Sequence, residues 1–477
     1  MILDEKTIAA LVERTIRSLQ QETDSSLTYT HTQVQAPSST DGIYTDIESG
    51  ILAAKEGQMQ LAALGLKKRG EIVNAIRQVA TENVEQIATI AHEETGYGRI
   101  PDKIQKKLNT IRLTPGIEDL KTEAISGDDG LVLIERAPVG VIASIEPATH
   151  PGSCIINHAI SMIAAGNSIV FLPHPKGIKT AHYMIPLFNK AIQDAGGPPN
   201  LLVVADKVSM EIFDYVIHHP AIDMIAATGG PAVVDQALRS GKKAIAAGPG
   251  NPPVIVDETV DDLEYAARCI VEGASFDNTV LCIAEKVIIA VNSIADELLL
   301  HLQNNGAYIV RDEEEKARLI KTILPEKDRF CPDLIGKDAA LILSRAGITV
   351  PEDVRLAIVE CSPEHDLVQL EQLLPVLPFV RAENFEVALE IAAQVEHGFR
   401  HTSIIHSRDI GRITRFAQTL KTDIIVANAP SGAGLAVGGE GHYSHTIASP
   451  TGEGICTPKT YTREQRTVIV GSLRTVS

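Results

Sequence analysis

The sequence predicts an α/β protein built on parallel sheets. Three observations carry this. From residue 139, short runs rich in Val, Ile and Ala alternate with helical stretches of about 10–15 residues, the pattern of βαβ units. A second alternating series runs from about 251 to 427. Hydrophobic residues make up 44% of the chain and charged residues 22%, the balance of a globular protein large enough for more than one packed unit.

Residues 1–20 place Ile2, Leu3, Ile8, Leu11, Val12, Ile16 and Leu19 at helical spacing, with charged residues mostly between them. An amphipathic helix is expected. Residues 21–43 are rich in Ser, Thr and Gln without a sustained period and read as a flexible linker. A short helix on such a tether cannot bury its apolar stripe alone, so it needs a partner surface or folds back on its own subunit. From 47 to 124 the periodicity is helical. A polar hairpin around 127–130 follows, and LVLIERAP reads as one of its strands. Then VGVIASIEP, NSIVFLPH and NLLVVAD read as strands. Between them CIINHAISMIAAG and KTAHYMIPLFNKAIQDAG read as helices. The tail from 428 is Gly-rich and ends in the strand-like YTREQRTVIVGSL.

Composition excludes several classes. No stretch reaches about 18 uninterrupted apolar residues, so no membrane span is expected. Sixty-one acids against 43 bases give a net charge of −18, a field that repels nucleic acid. Six irregularly spaced cysteines read as free thiols in a reducing compartment. The acidic start does not resemble a secretory signal, so a cytoplasmic location is expected. GxGxxG after a strand, GxxxxGK[ST] and HExxH are all absent. The pairs His397/His401 and His442/His445 lack a third ligand in frame. They read as loop or helix-face residues, and no metal is expected.

The chemistry points to 269–286, CIVEGASFDNTVLCIAEK. Cys269 lies in an apolar helical run and reads as core. Cys282 follows a small, polar loop and precedes a strand-like run. There, backbone N–H groups can lower a thiol pKa and favour the thiolate. Spacing alone also allows a plain buried thiol.

Several stretches carry a resemblance: APVGVIASIEPATHPGSCIINHAISMIAAGNSIVFLPHP (137–175), ATGGPAVV (227–234), SGKKAIAAGPGNPPVIVDET (240–259), GASFDNTVLCIAEK (273–286), LLPVLP (373–378), HTSIIHS (401–407) and ASPTGEG (448–454). In this order they resemble the aldehyde dehydrogenase superfamily. More narrowly, they resemble the CoA-acylating acetaldehyde and propionaldehyde dehydrogenases of ethanolamine- and propanediol-utilisation microcompartments.

The resemblance implies a Rossmann-like cofactor-binding domain over 44–250 with an oligomerisation hairpin at 123–138. It implies an α/β catalytic domain over 251–427, and a C-terminal segment with an oligomerisation strand over 428–477. It makes Cys282 the nucleophile and Thr149, where hydrolytic relatives carry Asn, an oxyanion donor; turn capping is the plain alternative for Thr149. Pro173 and His174 would meet the adenosine side of the cofactor, Thr228, Gly229 and Gly230 its pyrophosphate, and Glu371 the nicotinamide ribose. NAD is implied and NADP left open, because no acid that rejects a 2′-phosphate is evident near Pro175.

Hydrolytic relatives carry a glutamate within the stretch matching 246–251, which here reads Ala-Ala-Gly-Pro-Gly-Asn. Without a positioned base, attack by water slows by about 10²–10⁴-fold. The expected activity is therefore oxidation of a short aldehyde to acyl-CoA, with a non-acylating dehydrogenase as the alternative. The resemblance also implies a homodimer or homotetramer, a shell-protein partner for residues 1–20, and residence in a bacterial microcompartment.

Overall fold

The computed structural model describes residues 42–476. The expected helix at 1–20 and all but the last two residues of the linker lie outside the described residues.

Eighteen strands are described. The first sheet takes β1 (Ile43–Tyr44), β4 (Val141–Glu146), β5 (Ser168–Pro173), β6 (Leu202–Ala205), β7 (Met224–Thr228) and β8 (Lys243–Ala247). The second takes β9 (Pro253–Val256), β10 (Val287–Val291), β11 (Ala307–Val310), β12 (Leu356–Glu360), β13 (Val376–Ala382), β14 (Thr402–His406) and β15 (Ile424–Ala427). Their orders are β1-β6-β5-β4-β7-β8 and β11-β12-β13-β10-β9-β14-β15, and every pairing is parallel. Parallel strands need helical crossovers on both faces, and the central strands are accordingly apolar throughout, as in VIASIE and VIIAV. Ile43, at the end of the expected linker, pairs in parallel with Val204 and joins the first sheet.

Helix Ile47–Ala62 begins at Asp46, whose carboxylate accepts the N–H groups of Glu48 and Ser49, and the helix packs on β5 and β6. Helix Ser153–Ala164 is buried along its whole length, so it reads as apolar all round rather than as a stripe. It carries Cys154 into the core.

The remaining strands stand apart. β2 (Glu123–Gly127), β3 (Gly130–Pro138) and β18 (Thr462–Val470) form a three-stranded antiparallel sheet, with β3 in the centre. Ile125, Val468 and Val470 are exposed on it. A two-stranded ribbon, β16 (Ile447–Ala448) and β17 (Gly454–Ile455), completes the set. No helix among the described residues is long and apolar enough to cross a membrane.

Candidate active site

Ligands of open parallel sheets settle outside the carboxyl ends of the strands. Here those ends supply Pro147, Thr149 and His150 after β4, Thr228–Gly230 at β7, and Ala247–Pro249 at β8. They enclose a cleft of ≈ 220 Å³ whose walls also hold Cys282, Glu371, His401 and His445. One space therefore gathers Cys282, Thr149, Thr228, Gly229, Gly230 and Glu371. Pro173 lines a separate apolar recess with Phe171, Leu172, Val204, Ile212 and Phe213. His174 lines neither: it is exposed, and its Nδ1 accepts the N–H of Lys176 at 3.0 Å, capping a short turn.

The segment before Cys282 is held in an unusual shape. Helix Leu263–Ser275 ends, and Asp277, Asn278 and Thr279 follow with φ of 50°, 55° and 66°. Left-handed backbone costs about 1–2 kcal/mol per residue, least for Asp and Asn and most for β-branched Thr. Tethers offset it. Asp277 accepts from the Arg99 N–H (3.0 Å), from Lys103 (3.1 Å) and from Lys106, and its own N–H donates to Asp102 (3.0 Å). Asn278 donates to the Gly336 carbonyl and to Asp338, and Thr279 to the Ala274 carbonyl at 2.7 Å. Lys286 Nζ donates to the Thr279 carbonyl at 3.0 Å. Cys282, three residues beyond Thr279, stays partly exposed while Val280, Leu281 and Ile283 are buried.

Backbone N–H groups around Cys282 would by themselves lower its thiol pKa. The structure reverses this. Burial, then the neighbouring Glu371 carboxylate, push the Cys282 thiol up to about 12, and Lys286 opposes them only in part. Burial likewise brings Lys286 down to about 8 and raises Glu371, against the pull of Lys286 and the Gly250 N–H. Gly250 is a close-approach glycine: a Cβ there would stand 2.9 Å from the His401 ring and 3.3 Å from the Cys282 carbonyl.

The segment 246–251 brings no carboxylate to the cleft. Ala247 lines it, and Asn251 is turned away to donate to the Val368 and Val395 carbonyls. Glu371 is the sole carboxyl among the lining residues.

Two histidines read as loop or helix-face residues, His401 and His445, are instead buried in the cleft wall beside His150. Their paired neighbours, His397 and His442, are exposed. Burial holds His401 at about 4, so its ring is neutral, and its Nδ1 lies 2.8 Å from the Thr402 hydroxyl. No local signal unites residues 150, 401 and 445; only the tertiary fold brings them together. No cluster of three or more His, Cys, Asp or Glu able to hold a metal occurs among the described residues.

The strand ends offer places for a phosphate and for a base. Gly230 caps helix Pro231–Arg239 without a side-chain hydrogen bond, and a Cβ there would meet nothing within 4 Å. Open space at a bare helix start suits a phosphate. The recess at Pro173 suits a flat apolar base.

With fold, thiol and cleft in place, the class is defined: the chain belongs to the aldehyde dehydrogenase family, which matches it over residues 20–322. The acylating acetaldehyde dehydrogenase of Salmonella typhimurium is 41% identical over 442 residues, covering 91% of this chain and 94% of that one. A crystal structure of Rhodopseudomonas palustris propionaldehyde dehydrogenase, with bound CoA and an acylated cysteine, superposes with a TM-score of 0.90 at 42% identity. It covers 91% of this chain and 100% of that one. The propionaldehyde dehydrogenase of the Clostridium phytofermentans fucose-utilisation microcompartment gives 0.89 at 42% identity, with 91% and 100% coverage. This protein is of the CoA-acylating kind.

Proposed function

We infer that the protein oxidises a short-chain aldehyde, acetaldehyde or propionaldehyde, with NAD and CoA, giving acyl-CoA and NADH. The observation that carries this is the cleft itself. It holds a thiol together with the Thr228–Gly230 turn and its uncapped helix start, and its 246–251 wall offers no base for water.

Cys282, as thiolate, attacks the aldehyde carbon. The oxyanion so formed is stabilised by the Thr149 hydroxyl and the backbone N–H of Cys282; one such donor is typically worth about 3 kcal/mol. NAD, when bound, supplies the hydride acceptor. Pro173 would face its adenine, Gly229 and Gly230 its phosphates, with Thr228 beside them, and Glu371 its ribose. His174 is left with its capping contact. The thioacyl group then rests on Cys282. The CoA thiol gives up its proton toward His401, which lines the same cleft as Cys282. The CoA sulfur attacks, the bond to Cys282 breaks, and Cys282 leaves as thiolate. A second cavity, of ≈ 300 Å³, is lined by both neighbours of the nucleophile, Leu281 and Ile283, and by Tyr443.

The three-stranded sheet with exposed Ile125, Val468 and Val470 joins subunits into a homodimer or homotetramer. Residues 1–20 dock on a shell protein and hold the enzyme in a microcompartment. The decisive experiment follows NADH and acyl-CoA with and without CoA. Acyl-CoA formed in step with NADH supports the reading. CoA-independent NADH with free acid would make Glu371 a water-activating base and the enzyme a non-acylating dehydrogenase.

A further inference from the structure

Thr228 lines the cleft, and its hydroxyl also meets that of Thr446 at 3.3 Å. Thr446 Oγ1 lies 2.8 Å from His158 Nε2, and His158 Nδ1 lies 2.7 Å from the Ser144 hydroxyl. Ser144 in turn donates to Glu146 Oε1 at 3.4 Å. A polar chain thus starts on β4, crosses helix Ser153–Ala164 and the residue before β16, and ends at β7. Ser144, His158 and Thr446 are fully buried and Glu146 nearly so. None of these four lines the cleft, so they reach it through Thr228.

The network assigns the direction of each hydrogen bond. Burial raises the Glu146 carboxyl well above its ordinary range and holds His158 down at about 3, so both are neutral at pH 7. A neutral imidazole carries one proton: one of its hydroxyl neighbours accepts and the other donates. Two oxygens stand on the Nδ1 side, Ser144 Oγ and, at 3.9 Å, Glu146 Oε1. The Ser144 proton goes to Glu146, so its oxygen accepts from Nδ1–H. Nε2 is then a lone pair, and Thr446 donates to it. That uses the one proton of Thr446. Toward Thr228 its oxygen accepts, and Thr228 donates. The backbone of Thr446 is held as well: its N–H donates to the Ser444 hydroxyl at 3.1 Å, and its carbonyl accepts the Cys456 N–H at 3.0 Å. The fold does not require such a chain. Apolar side chains of the same shape leave stability nearly unchanged, whereas every polar group here has had to leave water.

We propose that His158 and Thr446 are positioning residues for the cofactor. They hold the Thr228 hydroxyl with its oxygen lone pairs turned to the cleft. There it accepts from an N–H or O–H group of bound NAD, and not from a phosphate, which has no proton to give. The inference rests on the NAD-dependent, CoA-acylating reading and deepens it.

The test measures NAD binding to the full-length enzyme by equilibrium dialysis, with the urea midpoint of each variant as the check on folding. Thr228→Val and Thr446→Val should each weaken binding by about 3–10-fold, the worth of one hydrogen bond. Because Thr446 acts through Thr228, the double variant should bind no more weakly than Thr228→Val alone. Losses that multiply overturn the proposal, as does either single variant binding like wild type. His158 probes the chain at a second point, which serves even where Thr446→Val does not fold. His158→Leu should lose affinity, and His158→Gln, whose amide reaches the Nε2 position, should recover part of it; equal loss in both also overturns the proposal. A wild-type enzyme that neither binds NAD nor forms acyl-CoA defeats the underlying reading instead, so the two failures are distinguishable.

Discussion

At the scale of single residues, the proton on Cys282 is the first obstacle to the proposed turnover. Burial and Glu371 favour the thiol, and Lys286 favours the thiolate. With the thiol pushed up to about 12, the thiolate fraction grows with every step upward in pH from neutrality. kcat/KM should therefore climb with pH without a plateau near neutrality; a flat profile would mean another group controls the step. Lys286→Met removes the cation that favours the thiolate and should lower the rate at neutral pH, with part of the loss recovered as pH rises. Cys282→Ala should abolish NADH formation while retaining NAD binding by equilibrium dialysis. Retained turnover would move the nucleophile elsewhere, with Cys154 the next thiol to test. Cys154 is buried, with its thiol raised well above the ordinary value by burial and then by Glu146.

At the scale of elements, the nucleophile loop depends on helix Ile100–Leu113. That helix supplies Asp102, Lys103 and Lys106 to the strained residues before Cys282. Asp277→Asn would leave Lys103 and Lys106 buried without their counter-ion. Removing one partner of a buried pair costs about 3–5 kcal/mol, which urea denaturation should register as a lowered midpoint. Downstream of the nucleophile, Glu285 is raised to about 7, chiefly by burial, while Ser431 donates to both its oxygens at 2.9 Å. Its pKa is higher in the folded than in the unfolded chain. The stability it contributes is complete below about 4.5 and is lost as pH rises through about 7, a swing on the order of 3 kcal/mol. Glu285→Gln should flatten the stability profile across that window.

At the scale of the whole molecule, the antiparallel sheet presents exposed apolar residues that none of the described residues covers. Deleting 462–477 removes β18, the strand that pairs with β3 along its length; if this sheet joins subunits as proposed, light scattering should report a smaller mass per particle than the shortened chain of the intact assembly would give. An unchanged mass would place the interface elsewhere. For residues 1–20, fusion to a fluorescent protein should yield punctate signal in shell-forming cells; diffuse signal would argue against a targeting role.

What could be read in the chain followed from its locality. The alternation of VGVIASIEP, NSIVFLPH and their helices gave parallel sheets because strand and crossover helix are consecutive in sequence. Cys282 stood out because its loop is continuous, as did the missing acid at 246–251. The proton affinity of that thiol did not, because burial and Glu371, 89 residues away, decide it. His150 and His445 showed no pattern either, since their rings meet, with centroids 4.9 Å apart, only across 295 residues of chain. The linear sequence thus determined the elements, and its family resemblance marked Cys282 as the candidate nucleophile, because both signals are carried by continuous stretches. Only the folded chain decided the electrostatics and polarity of the cleft, because those depend on which distant groups are forced out of water together.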